Sequence, residues 1–118
     1  MSTTITDLDE LARAIESRDA DAQIAAYAED AVLENVDAEH PPSSPVVLRG
    51  RAAIADQLRD VAGRDMEHRV TEAFVAGDRG ALRVDCRYPD GTQVACVATL
   101  ELRDGLIVRQ RQLQTWDS

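Results

Sequence analysis

The sequence predicts an α+β domain, and three observations carry that prediction. Apolar residues recur at three- and four-residue steps through the first half of the chain. From Glu67 onward the period changes to two, in runs separated by the turn signals GDRG, PDG and RDG. Helical segments therefore precede an antiparallel meander, an order that packs helices on one face of a sheet.

Thr6 or Asp7 caps a first helix whose stripe is Leu8, Leu11, Ala12 and Ile15. Asp19 or Asp21 caps a second, shorter helix with Ile24, Tyr27 and Ala28 on one side. AVLENV, at 31–36, reads as a short strand. DAEHPPSSP follows as a loop, because its three prolines remove backbone donors and fix φ. Gly50 precedes a third helix striped by Ile54, Leu58 and Val61, and Gly63 offers its C-terminal stop. HRVTEAFVA, ALRVDCRY, TQVACVATLEL and LIVRQRQLQTW are the strands of the meander.

With 118 residues and no Pro/Ser/Gly-rich linker, the chain is expected to form one domain over 1–118. Hydrophobic residues make up 44%, enough for a core, but aromatics only 3%, so any pocket has mainly aliphatic walls. Thirteen basic against twenty-two acidic residues give a net charge of −9. That balance argues against nucleic acid or an anionic membrane as a partner, since both require a basic footprint. MSTTITDLDELARAIE lacks the basic and apolar regions of a signal peptide, and no apolar run approaches a membrane span. Cys86 and Cys96 sit in strand-like runs without a CxxC or a nearby histidine, which suggests free thiols in a cytoplasmic protein. His68 has no partner at ligand or triad spacing, and His40 stands beside prolines in a loop, so no metal or other cofactor is implied.

Arg83, Asp85 and Arg87 lie two apart and share one face of their strand. If Asp90-Gly91 is a two-residue turn, Arg83 sits across from Ala98, Asp85 from Cys96 and Arg87 from Val94. A three-residue loop at Arg103-Asp104-Gly105 then adds Val108, Gln110, Gln112 and Gln114 to the same face. Because that face carries Val94, Cys96, Ala98, Leu100 and Leu102, it is expected to be the helix-covered one. Charges there must be paired, hydrogen-bonded or reached by pocket water. Two readings compete with a pocket: a structural Arg–Asp pair, or an apolar dimer interface with the charges at its edge. The GDRG turn permits registers of either parity, which leaves Glu72 and Phe74 unplaced.

The order and spacing of SRDADAQIAAYAEDAVLENV, LRGRAAI and LELRDGLIVRQRQ resemble the nuclear-transport-factor-two-like superfamily, also called SnoaL-like or ketosteroid-isomerase-like. The resemblance covers nearly the whole chain. It implies a cone-shaped, curved, mainly antiparallel sheet wrapped around three N-terminal helices, a cystatin-like α+β roll with a pocket at its open end. It also implies a homodimer. The fold hosts isomerases, dehydratases, cyclases, epoxide hydrolases and non-catalytic binders, so it leaves function open.

Compared with ketosteroid isomerase, the base position falls on Asn35, the tyrosine near Leu11 and the acid on Ala98, so that chemistry is missing. Limonene-epoxide hydrolase is the nearer pattern. Its Arg-x-Asp is matched by Arg83 and Asp85, and its Tyr-x-Asn by Leu33 and Asn35. Its second aspartate corresponds to Gln112, which can hydrogen-bond but cannot shuttle a proton at neutral pH. The resemblance thus implies Asp85 as acid or base, oriented by Arg83. Asn35 and Gln112 would bind a substrate oxygen, with Gln110, Cys96, Leu33, Tyr27 and Leu11 lining the pocket. The first function implied is a cofactor-free acid–base enzyme acting on a small apolar or polycyclic molecule, such as an epoxide, terpenoid or polyketide fragment. The second is a non-catalytic ligand-binding or dimerisation module. Placing Arg83 and Asp85 on the solvent face would exclude the first reading in this form.

Overall fold

A computed structural model describes residues 8–117. Helix α1 (Asp9–Glu16) turns Leu11 and Ala14 inward, while its expected caps, Thr6 and Asp7, lie outside the described residues. Asp19 caps α2 (Ala20–Ile24), its carboxylate accepting the Ala22 N–H at 3.1 Å. The expected apolar side of α2 is cut short, because Tyr27 and Ala28 belong to strand β1 (Tyr27–Val36). Sheet pairing wins there: Tyr27 lies beside Ile107, whose N–H donates to the Ala26 carbonyl at 2.9 Å.

The proline-rich loop gives way to an unanticipated strand, β2 (Val46–Arg49), antiparallel to β1. Gly50 follows at φ 88, a left-handed value that suits glycine, and its N–H reaches the Ala31 carbonyl at 2.7 Å. Helix α3 (Arg51–Ala62) starts from that bend. Strands β3 (Glu67–Ala76), β4 (Arg79–Arg87), β5 (Gln93–Arg103) and β6 (Leu106–Trp116) complete the meander.

The six strands run in the order β2-β1-β6-β5-β4-β3, with β1 parallel to β6 and the other neighbours antiparallel. The α+β class and the three helices are as expected, but the cone is not. The sheet is open, neither closed nor strongly curled, with β2 and β3 as separate edges. Closure would require these edges to pair, yet β2 has four residues and packs beside α3. The helices instead cover one face of the open sheet, where Leu8, Leu11 and Ile54 meet Leu82, Ala98, Leu100 and Ile107. Full burial of each large aliphatic side chain contributes about 1.5–3 kcal/mol.

Two turns differ from expectation by one residue each. The PDG turn is a three-residue loop: Tyr88 N–H donates to the Thr92 carbonyl, and Gly91 takes the left-handed position at φ 92. Asp90 braces it by accepting the Thr92 N–H at 2.9 Å. Arg83 therefore pairs with Val97, Asp85 with Ala95 and Arg87 with Gln93, not with Ala98, Cys96 and Val94. A one-residue slip moves a whole strand's side chains to the other face. The RDG turn, conversely, is a two-residue one, with Asp104 (φ 54) and Gly105 (φ 78) both left-handed between paired Arg103 and Leu106. A bulge at Val108, between the Leu102–Ile107 and Glu101–Arg109 pairs, then shifts the register once more. The two shifts on β6 cancel in parity, so Gln110 and Gln112 pair with Leu100 and Ala98 on the helix-covered face.

Candidate functional site

The register divides the expected site residues between two faces. Arg83 and Asp85 lie on the outer face, their side chains 50% and 43% exposed, with Arg83 Nε 3.4 Å from Asp85 Oδ1. They form a surface ion pair, the kind that contributes about 0–1 kcal/mol. The acid–base role given to them placed them on the helix-covered face, so in that form it does not survive their position. Asn35, Gln112, Gln110, Cys96, Leu33, Tyr27 and Leu11 are instead gathered on the inner side, Leu11 from α1 and the rest from β1, β5 and β6.

The inner-face polar groups form one directed row. Tyr27, 4% exposed, donates its hydroxyl proton to Gln110 Oε1 at 2.6 Å. Gln110 Nε2 donates to Gln112 Oε1 at 2.8 Å, and Gln112 Nε2 to Asn35 Oδ1 at 2.9 Å. Asn35 Nδ2 then donates to Asp37 Oδ2 at 2.8 Å. Parallel pairing of Leu33 with Gln110 and of Asn35 with Gln112 sets the amides side by side. Each amide points its N–H toward Asp37, so the row is polarised and ends on an anion. Burial, and next the neighbouring Cys96, push the Tyr27 hydroxyl's ionisation upward, against a smaller opposing effect of Gln110. Tyr27 thus remains a donor and fixes the direction.

Beyond Asn35, the chain turns back on itself through Asp37 and His40, paired in an isolated bridge. His40 Nδ1 is 2.9 Å from Asp37 Oδ1, which also accepts the Glu39 N–H at 2.9 Å. Burial alone would raise the Asp37 carboxyl, but hydrogen bonds from His40 and the Glu39 N–H outweigh it and hold it below its ordinary value. The loop histidine beside the prolines is thus tied to a carboxylate three residues earlier. Asp37 itself was not singled out, although the i,i+3 spacing was there to read.

A second cluster was missed because it depends on strand pairing alone. His68 on β3 lies directly across from Cys86 on β4, with Nδ1 3.1 Å from Sγ, so the expectation of no histidine near a cysteine is corrected. Burial and then Asp85 push the Cys86 thiol up to about 11; burial and then Cys86 push Cys96 up to about 12. Burial, followed by Arg18, lowers His68. Among the described residues no group of three or more His, Cys, Asp or Glu side chains is arranged to hold a metal ion.

A family model described as a SnoaL-like domain matches residues 8–110. No curated protein matches the chain. Among solved structures, an NTF2-like protein of unknown function from Mesorhizobium loti is 25% identical, with a TM-score of 0.77 over 94% of this chain and 88% of that one. An NTF-2 like protein of unknown function from Burkholderia xenovorans is 21% identical, with a TM-score of 0.77 over 92% and 79%. An LEH-like epoxide hydrolase from M. tuberculosis is 24% identical, with a TM-score of 0.66 over 93% and 79%. The last two likenesses concern the fold alone.

Proposed function

The chain belongs to the SnoaL-like domain family, and from that premise we propose that it binds a small, largely apolar molecule on the inner face of its sheet. One oxygen of the ligand is held by the amide row. The observation that carries this reading is the row itself: three neighbouring carboxamides, Asn35, Gln112 and Gln110, set among Leu33, Ala98 and Cys96. Each amide nitrogen has two hydrogens and spends one within the row. Asn35 and Gln112, both half-buried, can turn the second toward a carbonyl, epoxide or hydroxyl oxygen. No proton transfer through Arg83 and Asp85 belongs to this reading, because both carry their charges on the opposite face. A binding module is therefore favoured over an epoxide hydrolase of the Arg-x-Asp type.

Binding can be measured by calorimetry against a monoterpene epoxide, a monoterpene ketone and the saturated hydrocarbon that lacks the oxygen. The oxygenated ligands are expected to bind up to about tenfold more tightly than the hydrocarbon, the value of one neutral hydrogen bond of about 0.5–1.5 kcal/mol. Gln112→Leu should erase that difference. Equal affinity for ketone and hydrocarbon, or an undiminished preference in Gln112→Leu, would overturn the proposal.

A second copy of the chain is the partner we propose for the outer face. There Val36, Leu113 and Val97 lie in one cross-strand row, with Leu113 62% and Val97 48% exposed, and Arg83 continues it toward the edge. An exposed apolar strip bordered by charge is typical of an interaction site. Sedimentation velocity should find a dimer that Leu113→Asp dissociates; a monomeric parent chain would rule it out.

A further inference from the structure

A groove of about 1000 Å3 opens between the end of α1 and the base of the β3–β4 hairpin, with Met66, His68, Cys86 and Tyr88 among its lining residues. The cluster is independent of the amide row. It pairs a nucleophile with a base at hydrogen-bond distance, an arrangement by which a neutral thiol can be activated. We propose that Cys86, with His68 as its base, is a nucleophilic site that captures small, uncharged α,β-unsaturated carbonyl compounds entering this groove.

The surroundings suit that class. Three arginines and four carboxylates line the groove, so no strong field of either sign selects a charged ligand. The imidazole is kept in its neutral, proton-accepting form by burial and by Arg18. The thiol keeps its proton because of burial and Asp85; Cys96 on β5 is a further titratable neighbour, and Glu16, Arg18, Asp65, Glu67, Arg69, Arg87 and Tyr88 line the same groove. With the thiol near 11, free thiolate at pH 7 is only about one part in ten thousand. Attack through pre-formed thiolate is therefore starved, and transfer of the proton to His68 during attack is the productive route. In that step the Cys86 S–H bond breaks and its proton passes to His68 Nδ1. The sulfur forms a bond to the β-carbon, and the alkene π electrons move onto the carbonyl oxygen as an enolate. The imidazolium then returns the proton to the α-carbon. Net addition of S–H across the double bond needs no oxidant, metal or leaving group.

The whole chain is incubated with 2-cyclohexen-1-one and followed by intact mass and peptide mapping. One adduct is expected, on Cys86, with Cys96 unmodified. The rate should vary by less than about twofold between pH 7.5 and 9, since neutral His68 is already fully populated there. His68→Asn should slow it at least tenfold, and Cys86→Ser should abolish it. The unmodified chain's own pH profile tests the proposal even if a variant fails to fold. A rate that climbs tenfold per pH unit without a plateau would leave His68 no role and overturn the proposal. So would labelling of Cys96 as fast as Cys86, or no adduct at all.

Discussion

Replacing Tyr27 by phenylalanine deletes one oxygen and leaves the ring in place, which isolates the hydroxyl's contribution. The structure specifies what is lost. Gln110, 8% exposed, would retain its carbonyl oxygen in the core but lose the donor now 2.6 Å away. A buried acceptor left without its partner costs about 1–3 kcal/mol. For a chain of this length about 1 kcal/mol corresponds to roughly 4 °C in melting temperature, so a drop of about 4–12 °C is expected. Urea titration should move the midpoint with an unchanged slope. Gln110→Met strands the Tyr27 hydroxyl in turn and should cost a similar amount. The double variant removes both ends of the bond and should lose about 1–2 kcal/mol less than the sum of the single losses. A Tyr27→Phe variant within about 0.3 kcal/mol of the parent chain, or strictly additive losses, would refute the claim that this hydroxyl anchors the row.

Three further outcomes follow from the same geometry. Arg83→Ala and Asp85→Asn should each change stability by no more than about 0.5 kcal/mol and leave ligand affinity untouched, which urea titration and calorimetry can check. Asp37 is held below its ordinary carboxyl value of 3.8, so its contribution is present above that value and lost as pH falls through its folded-state value. Urea midpoints measured from pH 2.5 to 6 should accordingly show a shallower acid limb in Asp37→Asn than in the parent. At the alkaline end the sign reverses. Cys86 and Cys96 stay protonated to about 11 and about 12 when folded, whereas free cysteine ionises near 9. Their contribution is complete below that value and declines as pH rises above it, a decline that a Cys86→Ala/Cys96→Ala chain should show less of.

Residues whose pattern is local were legible in the sequence. The stripes of α1 and α3, the Asp19 cap and the alternation of β4 and β5 each depend on neighbours within one turn or one strand. Register was legible only as far as the turns were. PDG and RDG offer the same Asp-Gly core, yet one closes over three residues and the other over two. The difference lies in small preferences: Pro89 and the Asp90 brace favour the longer loop, while Asp104 tolerates the left-handed conformation. On β6 the shorter turn is offset by the Val108 bulge, so the glutamines reach the expected inner face through two compensating departures. On β4 nothing offsets the longer turn, and the charged pair lies on the side opposite to the expected one. The His68–Cys86 contact could not be read at all, since its partners lie on strands joined by a turn of ambiguous parity and separated by the bulge at Thr71.

A single inserted turn residue therefore decides which chemistry the domain can present. With Arg83 and Asp85 inside, a charged pair would need burial among aliphatic side chains, at a desolvation cost of several kcal/mol per ion that only excellent geometry offsets. With them outside, the same pair is screened by water and borders an apolar strip. Among the described residues, the polar groups of the inner-face sheet then include neutral amides, a tyrosine, two thiols and the His68 imidazole, all of which can be buried without charge. Such a surface favours an uncharged, oxygen-bearing ligand because binding strips no ion of its water. The carboxylate that remains near it, Asp37, sits at the end of the row, where three amides and a histidine share its charge. If the inner face binds the ligand proposed for it, selectivity for neutral molecules follows from where the charges were left out, and a carboxylate-bearing analogue of the ketone should bind worse than the ketone itself. Calorimetry with the matched pair decides it, and tighter binding of the acid would contradict the reasoning.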